Sequence, residues 1–172
     1  NEDVKAIEKI SKNISFIYFP RLLLHEYIKK YTNINKLNDS TYYPIIDGKD
    51  SQKYIYNDMS KLFKILHKLL NFDAIFSGNY VYISQQEFCR VAEKHNIPTI
   101  ILYKEGIGAS IKSDREILKK IYSTKRFNAS KILFYNESIQ NMLLDAHIPG
   151  LTKAKTAVVG IPRFDKYFKQ SH

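Results

Sequence analysis

The sequence is poor in several residue types, and each shortage narrows the classes of protein to which it can belong. One cysteine, Cys89, occurs in 172 residues, which excludes a disulfide-stapled fold and fits a reducing compartment. Tryptophan is missing, and six glycines and five prolines are too few for a collagen-like or low-complexity chain. No apolar run approaches the ~20 residues of a membrane-spanning helix. What remains is a chain with enough residues for one compact domain with a packed core.

Recognisable catalytic and metal-binding motifs are also missing. The sequence contains no H-E-x-x-H, C-x-x-C, G-x-S-x-G or P-loop string. The nearest approach to a dinucleotide fingerprint, Gly106–Ile111, has isoleucine where a small residue must pack helix against strand. The five histidines show no ligand spacing to one another or to carboxylates. We therefore expect no metal site and no bound cofactor.

The charge balance is strongly basic, with 27 lysines and arginines against 17 acidic residues and a net charge of +10. The basic residues are spread over predicted helices, so solvated helix faces are the ordinary explanation. An electropositive surface for a polyanion or an anionic membrane is the alternative. Nucleic acid is not favoured, because most tyrosines and phenylalanines fall in predicted strands and apolar helix faces, and no nucleic-acid-binding motif occurs.

From residue 73 onward, short apolar runs alternate with helical patterns. Possible capping boxes at Ser84–Glu87 and Ser113–Glu116 open two of the helices, and Asn136 caps a third. Three strand–helix–strand units predict right-handed crossovers and a Rossmann-like open parallel sheet with helices on both faces. The predicted strands are Asp73–Gly78, Thr99–Tyr103, Lys131–Tyr135 and Thr156–Val159.

The first 70 residues are less regular. Ile14–Phe19 has the composition of a first strand, and Pro20 would end it. Helical spacing follows at Arg21–Lys30, and Thr41–Ile46 has the composition of a short strand. Lys53–Leu70 predicts a longer amphipathic helix, with apolar residues at helical spacing on one face.

The last predicted strand runs into a distinctive turn, Gly160–Asp165, with the sequence G-I-P-R-F-D. This string resembles the G-x-P-R-x-D segment of CDP-glycerol glycerophosphotransferases and related capsule and surface-polysaccharide transferases, which have the GT-B architecture. Phe164 departs from the small polar residue that the glycerophosphotransferases commonly carry. The departure favours the wider capsule and cell-surface carbohydrate group.

The resemblance implies that residues 1–172 form one domain, the N-terminal, acceptor-side half of a bacterial GT-B enzyme. Such an enzyme needs about twice this length, so the nucleotide-donor domain would be absent from this chain and the isolated chain would be inactive. The implied partners are a nucleotide-activated donor, held through that missing half, and a polymer or lipid-linked acceptor. The implied location is the cytoplasm, at the inner face of the membrane, and no metal is implied. The alternative is a stand-alone Rossmann-like binding module without catalysis.

Candidate site residues follow from the rule that ligands bind at the carboxyl ends of parallel strands. An inverting transferase needs a base for the attacking hydroxyl, and Glu105 is our first candidate because it follows an apolar strand beside two glycines. His25 is the second candidate. The alternative for Glu105 is an exposed strand-end carboxylate without chemistry, and for His25 a half-buried helix residue. The candidate substrate-binding residues are Arg21, Gly78, Asn79, Lys104, Gly106, Gly108, Asn136, Arg163 and Asp165.

Arg163 and Asp165 admit two interpretations. Within a turn bounded by Gly160 and Pro162 they can form a local ion pair that sets the direction in which the chain leaves the sheet. A guanidinium can also grip a phosphate through two hydrogen bonds, so Arg163 can instead contact donor or acceptor at an interdomain cleft.

Overall fold

The computed structural model describes residues 2–29, 49–104, 112–123 and 125–164. The described helices are α1 (Glu2–Ile10), α2 (Arg21–Lys29), α3 (Lys49–Leu70), α4 (Ile83–Lys94), α5 (Lys112–Ser123) and α6 (Glu137–Asp145). The described strands are β1 (Ile75–Ser77), β2 (Thr99–Tyr103), β3 (Lys131–Phe134) and β4 (Thr156–Val158). Single 3-10 turns occur at Lys153–Lys155 and Pro162–Phe164.

The four strands form one open parallel sheet in the order β1-β2-β3-β4. Ile101 pairs with Ser77 on one side and with Ile132 on the other, which makes β2 and β3 the central strands. All four strands are short, and β1, β2 and β3 are rich in isoleucine, leucine or phenylalanine, as expected of strands covered by helices. The predicted α/β class and the parallel sheet flanked by helices are confirmed.

One face of the sheet carries the larger hydrophobic core. Alternate residues of the central strands point to it, namely Ile101 and Tyr103 on β2 and Ile132 and Phe134 on β3. Side chains of all three crossover helices join the same cluster, including Cys89 of α4, Tyr122 of α5 and Leu143 of α6. The three crossover helices therefore cover one face, as consecutive right-handed crossovers require.

The opposite face is covered by N-terminal residues. Leu102 and Phe76 point to this face, and they line a pocket together with Val4 of α1 and Phe16. The Phe16 and Phe76 rings meet edge to face, with centroids 5.5 Å apart. Helices thus flank the sheet on both faces, α4 to α6 on one and α1 on the other.

A second hydrophobic cluster joins α2, α3 and α4 beyond β1. Leu24 and Ile28 of α2 and Met59 and Phe63 of α3 are buried there against Val91 and Ala92 of α4. The predicted amphipathic helix is confirmed, although its apolar face covers less than expected, since Leu69 at its end is 73% exposed.

The predicted first strand at Ile14–Phe19 was wrong, because residues 14–20 have no regular secondary structure and pair with no described strand. An apolar run of this length suits a strand and an unpaired segment lying on an apolar surface equally well. Here the segment packs against β1 and α4, with Phe16 on Phe76 and Phe19 stacked 6.3 Å from Phe88.

Both predicted capping boxes were also wrong, since Ser84 and Ser113 lie within helices that begin at Ile83 and Lys112. The N-cap of α4 is Tyr82, whose side chain makes no capping hydrogen bond. The Gln86 side chain instead donates to the carbonyl of Val81, which secures the turn before α4. The predicted strand at Thr41–Ile46 lies outside the described residues.

Candidate functional site at the carboxyl edge of the sheet

The parallel sheet brings five of the predicted site residues to one edge. Gly78 and Asn79 follow β1, Lys104 follows β2, Asn136 lies just beyond β3, and Arg163 lies beyond β4. The register pairs Ser77 with Ile101 and Tyr103 with Phe134, so these strands end at similar heights. This edge is where parallel α/β sheets bind ligands.

A pocket of about 170 Å³ opens at the β1–β2 end of this edge. Gly78 lies beside the Lys104 side chain, since a Cβ atom on Gly78 would make an ordinary van der Waals contact with Lys104 Cε at 3.4 Å. The ammonium of Lys104 has no hydrogen bond or ion pair recorded with another described residue. The pocket therefore combines one cation with mostly apolar walls, which are Val4, Phe16, Ile17, Tyr18, Phe19, Phe76 and Leu102.

Asn79 directs the chain from β1 towards α4. Its side-chain oxygen accepts a hydrogen bond from the Val81 amide at 2.6 Å, and the Ser77 hydroxyl donates to the Asn79 carbonyl at 2.7 Å. Asn79 is 3% exposed, and its Nδ2 has no recorded partner among the described residues. The side chain builds the turn beside the pocket, and its predicted role in substrate binding stays a prediction.

Asn136 is confirmed as a helix cap. Its Oδ1 accepts a hydrogen bond from the Ile139 amide at 2.9 Å, at the start of α6. Asparagine at this position satisfies an amide that the helix leaves unpaired. This role alone accounts for the residue type.

Arg163 takes part in an ion pair that the sequence did not suggest. Its guanidinium NH1 lies 3.0 Å from Oδ2 of Asp3, and its backbone amide donates to the other Asp3 oxygen at 3.3 Å. The Tyr135 hydroxyl donates to the same carboxylate at 2.9 Å. Asp3 is fully buried, so the pair joins the first turn of α1 to the Gly160–Arg163 turn.

This Asp3–Tyr135–Arg163 cluster also sets the protonation of the tyrosine. Burial, followed by the hydrogen bond to Asp3 and the charge of that carboxylate, raises the pKa of Tyr135 to about 12. The Arg163 charge acts in the opposite direction and is the weaker effect. Tyr135 therefore remains a neutral hydrogen-bond donor at physiological pH.

Sequence reasoning missed Asp3 as the partner of Arg163. Of the two interpretations for the G-x-P-R turn, the local ion pair with Asp165 cannot be followed, because Asp165 lies outside the described residues. The ion pair of Arg163 that is seen joins residues 160 positions apart. The one available signal was the acidic first turn of α1, which is common to many helices.

The other predicted site residues are only partly defined. Glu105, Gly106 and Gly108 lie outside the described residues, as does Asp165. Glu105 directly follows Lys104, which lines the pocket. Arg21 and His25 lie on α2, of which the backbone is described but not these two side chains. Arg21 comes two residues after Phe19, another residue of the pocket wall.

Two buried groups near the sheet are unsuited to acid–base or nucleophilic chemistry. Burial, with a smaller contribution from Glu93, raises the pKa of the Cys89 thiol to about 12. Burial and the nearby Tyr103 raise the pKa of Tyr80 well above its usual value. Both groups stay protonated at neutral pH and serve as core residues.

No group of three or more histidine, cysteine, aspartate or glutamate side chains among the described residues is arranged to hold a metal ion. None of the described helices is both long and apolar enough to cross a membrane.

Comparison with known protein families, with curated proteins and with solved structures finds no match to this chain.

Proposed function

We propose that this chain is the acceptor-side half of a GT-B-type transferase that builds a bacterial capsule or other cell-surface polymer from a nucleotide-activated donor. The observation that carries the proposal is the position of the G-x-P-R turn. Gly160–Arg163 follows the last strand at the carboxyl edge of the sheet, and Arg163 is fixed there by Asp3. The turn thus has a defined geometry at the edge where parallel sheets bind ligands.

The pocket beside this edge suits one part of a phosphate-bearing acceptor. Lys104 offers an ammonium that has no recorded partner among the described residues, and the surrounding walls reduce the water available to compete for an anion. We infer that Lys104 holds an acceptor phosphate. Glu105, the next residue, then accepts the proton of the attacking hydroxyl.

The donor is the second component of the proposed reaction. It would be bound by a second α/β domain whose helix N-termini face the diphosphate. Nucleotide-activated donors are made in the cytoplasm, and we assign the reaction to that compartment, at the inner face of the membrane.

A direct test is ligand binding to this chain by calorimetry, comparing short poly(glycerol phosphate) as acceptor with CDP-glycerol and UDP-sugars as donors. We expect acceptor binding, no donor binding and no turnover. Lys104→Ala should weaken acceptor binding by about tenfold, since an ion pair at a partly desolvated site contributes on the order of 1–2 kcal/mol.

Lys64→Ala, an exposed lysine on α3, is the matched control and should change nothing. Preferential binding of a nucleotide, or donor turnover by this chain alone, would refute the assignment to the acceptor side. Binding of neither ligand class would favour the stand-alone module over the transferase.

A further inference from the structure

Large apolar side chains are exposed in unusual density between Ile10 and Leu23, a stretch that we call the apolar surface segment. Of the fifteen large hydrophobic residues exposed in the described parts of the chain, seven lie here. Scattered exposed apolar residues need no explanation, but a local concentration marks an interaction surface. The seven are Ile10, Ile14, Ile17, Tyr18, Phe19, Leu22 and Leu23.

The apolar surface segment is anchored to the folded core through its middle and just beyond its C-terminal end. Phe16 packs on Phe76 of β1, and Phe19 stacks on Phe88 of α4. Beyond the segment, Leu24 and Ile28 of α2 are buried in the helical cluster. The exposed side chains are therefore presented by a packed scaffold.

Basic residues predominate around this segment. No aspartate or glutamate occurs from Lys9 to His25, whereas Lys9, Lys12 and Arg21 do. Lys104 lies in the wall of the pocket that Ile17, Tyr18 and Phe19 also line. The acidic exception is Glu8, which accepts a long hydrogen bond of 3.5 Å from the Tyr18 hydroxyl. The segment thus joins exposed apolar side chains to a mainly basic rim on a chain of net charge +10.

We propose that the apolar surface segment docks on an anionic lipid bilayer. Its isoleucine, leucine and aromatic side chains would enter the boundary between headgroups and acyl chains, while the basic residues pair with lipid phosphates. Tyr18 suits this depth, because its ring is apolar and its hydroxyl stays hydrated.

The backbone limits how deep the segment goes. Residues 13–20 form neither helix nor strand, so their amides and carbonyls need water or headgroups as hydrogen-bond partners. The segment therefore rests in the interface and does not enter the hydrocarbon core. A protein partner is less well matched, since the basic rim would then need an acidic counterpart beside an apolar face.

The test is sedimentation of this chain with vesicles of pure phosphatidylcholine and of equimolar phosphatidylcholine and phosphatidylglycerol. We expect binding to the anionic vesicles that weakens as salt is raised. Ile17→Ser with Leu22→Ser should reduce partitioning by at least about tenfold, from the lost burial of two apolar side chains. Lys12→Ser should reduce it by about fivefold.

The matched control is Ile117→Ser with Leu69→Ser, on α5 and α3. Ile117 is 57% exposed and Leu69 is 73% exposed, close to the 59% of Ile17 and the 68% of Leu22, but both lie outside the segment. The control should keep wild-type partitioning. Failure to bind anionic vesicles, equal binding to neutral ones, or equal loss in both double variants would overturn the proposal. So would self-association that only the test pair abolishes, without vesicle binding.

A second readout does not depend on these variants folding well. An environment-sensitive dye on Ser15→Cys, within the segment, should shift to the blue on anionic vesicles, and the same dye on Asn141→Cys of α6 should not. Cys89 is buried and would react little. An unshifted Ser15→Cys spectrum on vesicles that bind the chain would show that another surface is responsible.

Discussion

Among the described residues, those from 71 to 164, which we call the sheet region, and those before residue 71, which we call the N-terminal region, are organised differently, although both contribute buried hydrophobic clusters. In residues 71–164, each strand and helix packs against its neighbours in sequence, and the order of the strands in the sheet repeats their order in the chain. In the N-terminal region, the Asp3–Arg163 ion pair joins α1 to the 3-10 turn at Pro162–Phe164, and α2 and α3 pack on α4. The sheet region is thus organised locally, whereas the N-terminal region takes its place on surfaces built by later residues.

The largest expected effect is on turnover, and it tests which region supplies the catalytic base. In the proposed complete transferase, with Glu105 as the base, Glu105→Gln should reduce turnover by roughly 10²–10⁴-fold, because the attacking hydroxyl would lose that base. His25→Gln, the matched change in the N-terminal region, should have little effect. Both are measured by nucleotide release from the donor, with unfolding curves to confirm the fold. Unchanged turnover in Glu105→Gln would remove Glu105 as the base, and a loss only in His25→Gln would give the role to α2.

Substitution of two buried phenylalanines compares the stability of the sheet region with that of the N-terminal region. Phe134 on β3 and Phe63 on α3 are 0% and 1% exposed, and alanine at either should cost about 3–5 kcal/mol. We expect Phe134→Ala to lower hydrogen-exchange protection throughout the chain. Phe63→Ala should mainly affect α2 and α3, because its cluster lies beyond β1. Equal loss of protection in both variants would mean that the clusters unfold as one unit.

Within the sheet region, two glycines with positive φ separate the cost of backbone strain from the cost of a steric clash. Gly150 has φ +85°, and a Cβ there would lie 2.5 Å from the Phe127 carbonyl oxygen, while Gly160 has φ +70° and nothing within 4 Å. Gly160→Ala should cost only the backbone strain, about 1–2 kcal/mol. Gly150→Ala should cost clearly more, since a backbone atom must also move. Equal losses in denaturant unfolding would contradict the steric argument.

Asp3→Ala should loosen the contact between the two regions. It leaves the buried Tyr135 hydroxyl and the Arg163 amide without their acceptor, at an expected cost of about 1–3 kcal/mol. Exchange of the Arg163 amide should accelerate, while β2 and β3 keep their protection. Asp3→Asn retains an acceptor and serves as the milder control. An unchanged Arg163 amide would show that the turn holds its shape without α1.

The smallest expected effect is a dependence on pH of the contribution that Tyr135 makes to folding stability. The folded-state pKa of Tyr135 lies at about 12, above its ordinary value, so its contribution to stability is present below pH ~10 and is lost as pH rises towards 12. The stability difference between wild type and Tyr135→Phe should therefore be constant at neutral pH and narrow above pH ~10. Urea unfolding at a series of pH values measures this difference in the free energy of unfolding. A difference that widens as pH rises would contradict the prediction.

The fold of the sheet region could be predicted because its signals are local. Thr99–Tyr103 is a strand with the predicted bounds, and Asn136 caps α6 as predicted. The candidate site could be predicted less well. Lys104 could be placed at the carboxyl edge because it follows a strand, but no spacing rule connects Asp3 to Arg163 across the chain.

The sequence by itself therefore determined the parallel βα units, the amphipathic α3 and the edge at which a site should lie, because apolar periodicity and turn residues act over a few neighbours. Tertiary structure alone decided three other features. Ile14–Phe19 became a segment without strand pairing because the apolar surfaces around Phe76 and Phe88 were available to it. Asp3 became a buried partner of Arg163, and the side chains from Ile10 to Leu23 were left exposed. Each of these outcomes depends on surfaces assembled from residues far apart in the chain, which no local pattern encodes.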